Sequence, residues 1–151
     1  MGQVIEGEVE HGRRLGRRLG FPTANLPVPE DLEIPDGVYR SRVEIEGRSY
    51  AAMSNLGRNP SVGGVARRLE THLFGFRGEL YGRRLRVELL ERIRGERTFA
   101  STEELRAQIL RDRTRILELE RLAEERACAE ELARETPSRT PISTSNPTGK
   151  S

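Results

Sequence analysis

The chain has 151 residues, with 26 basic and 24 acidic side chains and a formal net charge of +2, and this length supports at most one catalytic domain. The hydrophobic fraction is 34%, with no apolar run long enough to span a bilayer and no apolar signal region after Met1, so we expect a soluble, cytoplasmic protein. Arginine supplies every basic residue except Lys150, which excludes a lysine-dependent phosphate site in the body of the domain.

The N-terminal segment predicts a strand followed by a ligand-binding loop. Val4–Val9 alternates apolar and charged residues, as a half-buried strand does. The segment Gly12–Asn25 reads GRRLGRRLGFPTAN and combines three glycines with four arginines. Glycines let a backbone approach a ligand closely, and guanidinium groups suit phosphate oxygens. We therefore predict a polyanion-binding loop, with an arginine-rich surface turn as the alternative.

The loop ends in two oxygen-bearing side chains. Thr23 carries a hydroxyl and Asn25 an amide two residues later. If this end of the loop continues as an extended segment, both side chains point the same way, because side chains alternate along a strand. Two hard oxygen donors so placed are typical of a magnesium site.

The middle of the chain predicts short strands. Leu26–Asp36 contains three prolines and predicts irregular structure. Strands are predicted over Gly37–Ile45, Arg48–Asn55 and Arg67–Phe76, the first two as a hairpin, with a turn region at Gly57–Gly64. Strands of this length and spacing predict an antiparallel barrel or sandwich.

The C-terminal part predicts one more strand and then a helix. Arg83–Ile93 alternates as a long strand with one buried face. Ser101 begins a Ser-Thr-Glu-Glu capping box, which predicts a long helix extending to about Glu135. Cys128 is the only cysteine, so an intramolecular disulfide is excluded. From Thr136 onward the Pro/Ser/Thr-rich composition predicts disorder.

Two segments carry further candidate chemistry. Alternation within Leu69–Leu73 puts Glu70 and His72 on one face, where Glu70 can act as a general base; the alternative is that Glu70 only faces water. With His11 as the only other histidine, a zinc site is disfavoured.

The connection Arg94–Phe99 combines two cations, an anion and a ring, and can stack and hydrogen-bond a flat heteroaromatic ligand. Its alternative is a charged connection with Phe99 packed into the core.

Together these segments resemble the riboflavin kinase, or flavokinase, family. The resemblance runs from about Val4 to about Leu117, and its most specific element is the PTAN sequence after the glycine-rich loop. The chain departs from the family pattern at Gly75 and at Pro60-Ser61-Val62. The matching motifs are Gly20-Phe21-Pro22-Thr23-Ala24-Asn25, Gly37-Val38-Tyr39, Asn55-Leu56-Gly57 with Asn59-Pro60, Leu69-Glu70-Thr71-His72, Leu80-Tyr81-Gly82, and Arg94 with Glu96 and Phe99.

The resemblance implies a mainly β fold, a six-stranded antiparallel Greek-key barrel with a long C-terminal α-helix. It also implies transfer of the γ-phosphate of ATP to the 5′-hydroxyl of riboflavin, giving FMN and ADP. By position, Thr23 and Asn25 would bind Mg²⁺ and the ATP phosphates, and Gly12 and Arg17 would lie in the loop over the nucleotide. Glu70 would be the catalytic base. The flavin side would comprise Arg94, Glu96, Arg97 and Glu104.

The expected organisation is a barrel with the first part of its closing helix at 1–118, a helical extension at 119–135 and a disordered tail at 136–151. Bacterial relatives often carry an upstream nucleotidyltransferase domain, whereas this barrel begins almost at Met1. We therefore expect a monofunctional kinase or an excised domain, monomeric, with small-molecule substrates and no nucleic-acid or membrane partner.

The alternatives are a non-catalytic flavin- or nucleotide-binding barrel and, more distantly, a nucleic-acid-binding barrel. Interspersed acidic residues and an aromatic fraction of 5% disfavour the last.

Overall fold

The computed structural model describes residues 2–10, 23–61 and 64–135, with side chains omitted at 59–61, 64 and 65. The described residues form six strands and one helix. The elements are β1 (Gln3–Glu8), β2 (Thr23–Pro27), β3 (Gly37–Ile45), β4 (Arg48–Ser61), β5 (Gly64–Leu73), β6 (Arg84–Arg94) and α1 (Thr102–Glu135).

All six strands join one antiparallel sheet in the order β1-β6-β3-β4-β5-β2. Strands β3, β4 and β5 follow one another, and β6 returns to pair with β3, which is the Greek-key arrangement. Glu10 forms an isolated bridge to Asn25, with 2.7 Å from the Glu10 amide nitrogen to the Asn25 carbonyl oxygen. This bridge links the segment after β1 to β2, at opposite ends of the strand order. The predicted six-stranded antiparallel Greek-key fold with a long C-terminal helix is confirmed.

The β3–β4 hairpin is set by its two-residue turn. Glu46 has φ of 50° and Gly47 has φ of 82°. Positive φ at both central residues is the geometry whose twist matches that of the flanking strands. The predicted hairpin is therefore confirmed, with the turn where the Glu-Gly pair indicated it.

The predicted turn region at Gly57–Gly64 is wrong for residues 57–61 and for Gly64, and residues 62 and 63 lie outside the described part of the chain. Strand β4 continues to Ser61, and its pairing with β5 extends from Gly57 opposite Arg68 to Ser61 opposite Gly64. The glycines and the Asn-Pro pair favour a turn locally, but the backbone hydrogen bonds of a long two-strand ladder outweigh that preference. The next predicted strand ends earlier than expected, at Leu73, before Gly75 turns the chain with φ of 78°.

A chain of three hydroxyl groups lies within the mainly apolar interior of the sheet. Fully buried aliphatic residues such as Leu26, Leu56 and Leu69 form the main core. Among them the Ser54 hydroxyl lies 2.7 Å from the Ser41 hydroxyl and 2.8 Å from the Thr71 hydroxyl. All three residues are fully buried, so these hydrogen bonds satisfy polar groups that water does not reach.

A second apolar cluster lies on the other face of the sheet, beside the start of α1. Val38 and Met53 pack there with Ile109 and Ile116 of the helix. The helix begins as the capping pattern predicts, because the Ser101 hydroxyl accepts a hydrogen bond of 3.1 Å from the Glu104 amide. Within the described residues, α1 is not apolar enough to span a membrane.

The chain divides into two compact units, Met1–Ile116 and Leu117–Ser151. The first unit contains the sheet and the beginning of α1, and the described part of the second is the remainder of that helix. The predicted division at 118 and 135 stays a prediction, and residues 136–151 lie outside the described part of the chain.

The buried hydroxyl chain gives a test of the fold. We expect Ser54→Ala to lower the free energy of unfolding by about 1–3 kcal/mol, because Ser41 and Thr71 both lose a buried hydrogen-bond partner. Ser49→Ala, an exposed position on the same strand, should change it by less than about 0.5 kcal/mol. Urea denaturation of both variants measures the difference, and equal losses would contradict this account.

Candidate active site

A cavity of about 650 Å³ opens on the face of the sheet that carries the second apolar cluster. Side chains of β4 and β5, the connection 94–101 and the first turns of α1 line it. The other lining residues are polar or charged, and the apolar part of the lining comes from Val38, Met53, Phe99, Ala100, Leu105 and Ile109. A cavity of this size with apolar walls and a few polar groups is typical of a small-molecule site.

Glu70 lies on β5, which is the strand between β4 and β2 in the sheet. It pairs with Asn25 of β2 on one side and with Asn55 of β4 on the other. Directly opposed residues in an antiparallel pair share a face, so Glu70 lies between two amide side chains. Its neighbours Leu69 and Thr71 are fully buried on the interior face. The predicted alternation is confirmed, because Glu70 and His72 both line the cavity; the catalytic role of Glu70 stays a prediction.

His72 is a neutral group in this site. Its side chain is buried, and burial lowers the pKa of its imidazole from 6.5 to about 4. The protonated form is disfavoured because the surroundings do not solvate a charge. At neutral pH His72 therefore adds no positive charge beside Glu70.

The predicted metal ligands lie on β2, next to Glu70 and His72 across the ladder. Thr23 pairs with His72, and Asn25 pairs with Glu70. The extended segment therefore places both oxygen-bearing side chains on the same face as Glu70, as alternation predicts. Neither belongs to the cavity lining. The proposed nucleotide-loop residues Gly12 and Arg17 lie outside the described residues.

Arg68 was missed by sequence reasoning. Its Nε donates to Asn25 Oδ1 at 2.9 Å, and its guanidinium also pairs with Glu10 at 2.7 Å. Arg68 could have been predicted as a site residue from the alternation that places Arg68, Glu70 and His72 on one face of β5. The contact matters because it shows that the Asn25 amide oxygen is turned toward a cationic group.

The donor set at Thr23 and Asn25 fits magnesium held jointly with phosphate. Within the described ranges, no group of three or more His, Cys, Asp or Glu side chains could hold a metal ion. Magnesium commonly takes few protein ligands and completes its shell with phosphate oxygens and water. The Thr23 hydroxyl and the Asn25 amide oxygen lie on one face, and the amide oxygen keeps a second lone pair beside the one that accepts from Arg68, so both can serve as such ligands.

The loop from Arg94 to Phe99 is anchored to α1. Arg94 forms a two-pronged ion pair with Asp112, with 2.9 Å from Nη2 to Oδ2 and 3.1 Å from Nε to Oδ1. Asp112 also accepts a hydrogen bond of 2.8 Å from Gln108, whose own oxygen accepts one of 2.7 Å from Arg97. Asp112 and Gln108 are both buried. These two helix residues were also missed, although their i,i+4 spacing among apolar helix positions was a usable signal.

Phe99 lies between the two anchored arginines. The guanidinium carbon of Arg94 is 5.8 Å from the ring centroid, and that of Arg97 is 5.1 Å away. Both distances are within the range of a cation–π contact. Phe99 lines the cavity and belongs to neither hydrophobic cluster, so the interpretation of Phe99 as a core residue is wrong.

The two glutamates predicted on the flavin side occupy different positions. Glu96 lines the cavity, and partial burial raises the pKa of its carboxyl, with Asp36 raising it further. Glu104 does not line the cavity; its carboxylate accepts a hydrogen bond of 3.3 Å from the Ala100 amide at the start of α1. The structure thus brings Glu70, Arg94, Glu96 and Arg97 to one cavity and leaves Glu104 outside it.

Comparison with known proteins gives the class to which this fold and cavity belong. The family model described as Flavokinase, riboflavin kinase, matches residues 3–119. The chain belongs to the riboflavin kinase family.

Individual relatives agree with this assignment. The bifunctional riboflavin kinase/FMN adenylyltransferase of Escherichia coli strain K12 is 44% identical over 112 residues, covering 72% of this chain and 35% of that protein. The chain therefore spans about a third of the length of this curated relative.

Two solved structures share the fold. A crystal structure described as a macrolide-efflux protein from Streptococcus pneumoniae matches with a TM-score of 0.66 at 37% identity, covering 75% of this chain and 38% of that one. Riboflavin kinase from Trypanosoma brucei matches with a TM-score of 0.54 at 23% identity, covering 93% of this chain and 91% of that one.

The neutral state of His72 predicts a pH dependence of stability. Its pKa is about 4 in the folded protein and 6.5 when unperturbed, so the unfolded chain binds the proton first as the pH falls. Stability is therefore present above pH 6.5 and is lost progressively toward pH 4. Between pH 6.5 and 5 we expect His72 to account for a loss of about 2 kcal/mol.

The measurement compares wild type with His72→Gln by urea denaturation at pH 6.5 and pH 5. The variant lacks the titrating imidazole, so its free energy of unfolding should fall by about 2 kcal/mol less than that of wild type over this interval. Parallel losses in the two proteins would show that His72 titrates normally in the folded state.

Proposed function

We propose that the chain is an ATP:riboflavin 5′-phosphotransferase, which transfers the γ-phosphate of ATP to the 5′-hydroxyl of riboflavin and gives FMN and ADP. One observation carries the proposal in addition to family membership. Glu70 lines the cavity on one side and is the ladder partner of Asn25 on the other. A single carboxylate thus lies between a pocket for the acceptor and a pair of oxygen donors for a metal-bound phosphate.

The acceptor side suits a flat ring with a polar edge. Apolar side chains such as Met53 and Ile109 form one part of the cavity surface, against which a ring system can be buried. Arg94, Glu96 and Arg97 place hydrogen-bonding groups around the same space. Because Asp112 and Gln108 hold the two arginines, this polar lining keeps its shape before a ligand binds.

The donor side would be formed by Thr23, Asn25 and the loop that contains Gly12 and Arg17. When bound, magnesium would neutralise charge on the ATP phosphates. The Thr23 hydroxyl and the Asn25 amide oxygen would hold it on the face that carries Glu70. Arg17 would add the fixed cation that a lysine supplies in other phosphate sites, and Gly12 would let the backbone approach the phosphates closely.

Glu70 is the proposed general base. The riboflavin hydroxyl oxygen attacks the γ-phosphorus, the bond from that phosphorus to the ADP oxygen breaks, and the hydroxyl proton passes to the Glu70 carboxylate. A neutral His72 two residues away favours this role, because a positive charge there would make the carboxylate less basic. The buried neighbours Leu69 and Thr71 hold the strand so that Glu70 keeps its orientation.

The proposal includes residues 1–118 as the catalytic unit, residues 119–135 as a helical extension and 136–151 as a tail. It also includes a monomeric state, a cytoplasmic location and a flavin-side role for Glu104. A barrel that binds flavin or nucleotide without turnover is the alternative. Incubation with riboflavin, ATP and magnesium, followed by chromatography, separates the two, because only the kinase forms FMN.

Replacing Glu70 tests the base. Glu70→Gln keeps the size of the side chain and removes its basicity, so we expect single-turnover FMN formation to fall roughly 10²- to 10⁴-fold. Glu44→Gln, an exposed glutamate on β3, is the matched control and should keep the wild-type rate. Near-wild-type chemistry in Glu70→Gln would remove Glu70 from the base role while leaving the reaction itself intact.

The metal assignment has its own test. FMN should form only when a divalent cation is present, and Thr23→Ala and Asn25→Ala should each raise the magnesium concentration needed for half-maximal rate at least roughly tenfold. Thr114→Ala, at an exposed position on α1, serves as the control for loss of a threonine hydroxyl. A magnesium titration in which all three variants follow the wild-type curve would place the metal elsewhere.

A further inference from the structure

Gly57 of β4 lies directly beneath the carboxyl group of Glu96. A Cβ atom built on Gly57 would fall 2.9 Å from the carboxyl carbon of Glu96, and closer still to one of its oxygens. These separations are shorter than carbon–carbon contact, so the carboxyl occupies space that any other residue at position 57 would fill.

The strand itself does not require a glycine at this position. Gly57 is not among the glycines with positive φ, and it pairs in regular register with Arg68 of β5. Glycine within a strand costs roughly 0.5–1 kcal/mol relative to alanine, because it loses more backbone freedom on folding. The presence of glycine at position 57 is therefore explained by the Glu96 carboxyl that lies against it.

The backbone on either side of Glu96 is held in place. Arg94 is anchored by Asp112 and Arg97 by Gln108, so the loop cannot shift as a whole without breaking contacts to α1. The direction of the Glu96 side chain then depends on where space is available. Gly57 provides that space at the edge of the cavity, where Glu96 is one of the lining groups.

We propose that Gly57 is a positioning residue for riboflavin binding: its missing side chain lets the Glu96 carboxyl lie against β4, where it hydrogen-bonds the polar edge of the flavin ring. The inference rests on the proposed function for the identity of the ligand. It adds a residue that touches no substrate and acts only through Glu96. The clash produced by a side chain at position 57 would fall on the far end of a flexible glutamate, so the fold tolerates it while the carboxyl moves.

The test is Gly57→Ala, with Gly7→Ala on β1 as the matched control. A Cβ at Gly7 would meet only ordinary contacts, at 3.8 Å from Leu26 and 4.0 Å from Pro27. We expect both variants to unfold thermally at or above the wild-type temperature. Gly57→Ala should raise the riboflavin Kd, measured by quenching of flavin fluorescence without ATP, roughly ten- to hundredfold, as loss of a charge-assisted hydrogen bond does. The KM for ATP should not change.

A double-variant cycle identifies the route of the effect. If Gly57 acts through Glu96, then Gly57→Ala should weaken riboflavin binding no further once Glu96→Ala is present. Additive losses would overturn the proposal, as would a wild-type riboflavin Kd in Gly57→Ala. A marked loss of stability in Gly57→Ala, unrelieved by Glu96→Ala, would overturn it as well. Absence of FMN formation by the wild-type protein would reject the proposed reaction, whereas the fluorescence cycle would still decide whether Gly57 positions Glu96.

Discussion

The pairing of β5 with β2 on one side and β4 on the other is the constraint on which the site depends. It fixes Glu70 opposite Asn25 and Asn55, and it sends Leu69 and Thr71 into the interior. Because side chains alternate with a period of two, a slip of one residue would bury Glu70 and expose the leucines. The same hydrophobic burial that stabilises the sheet therefore sets the position of the proposed base.

The second organising element is the attachment of a charged loop to a helix. Arg94 and Arg97 would be mobile in an isolated connection, but Asp112 and Gln108 hold them at defined positions. Both helix residues are buried, so their bonds are less exposed to competition from water than surface ion pairs are. The helix thereby does two things at once, covering the apolar face at Val38 and Met53 and giving shape to the cavity lining.

Local packing also sets the charge state of the site. Burial keeps the His72 imidazole neutral and raises the pKa of Glu96, whereas the Asn25 oxygen faces the guanidinium of Arg68. Along its strand, Glu70 therefore lies between a neutral imidazole and a guanidinium that share its face of the sheet.

The sequence by itself determined the fold class, most strand positions, the start of the helix and the face shared by Glu70 and His72. The strand positions, the helix start and the shared face follow from alternation and capping, which are local properties of the chain, whereas the Greek-key fold class was implied by the resemblance to the riboflavin kinase family. It did not determine that residues 57–61 extend the ladder of β4 with β5, because turn preference is local whereas pairing with β5 is not. It also left out Arg68, Asp112 and Gln108, and the dependence of Glu96 on Gly57. Those relations join residues between 11 and 43 positions apart, from Gln108 near Arg97 (11 positions) to Arg68 near Asn25 (43 positions), so only the tertiary structure could decide them.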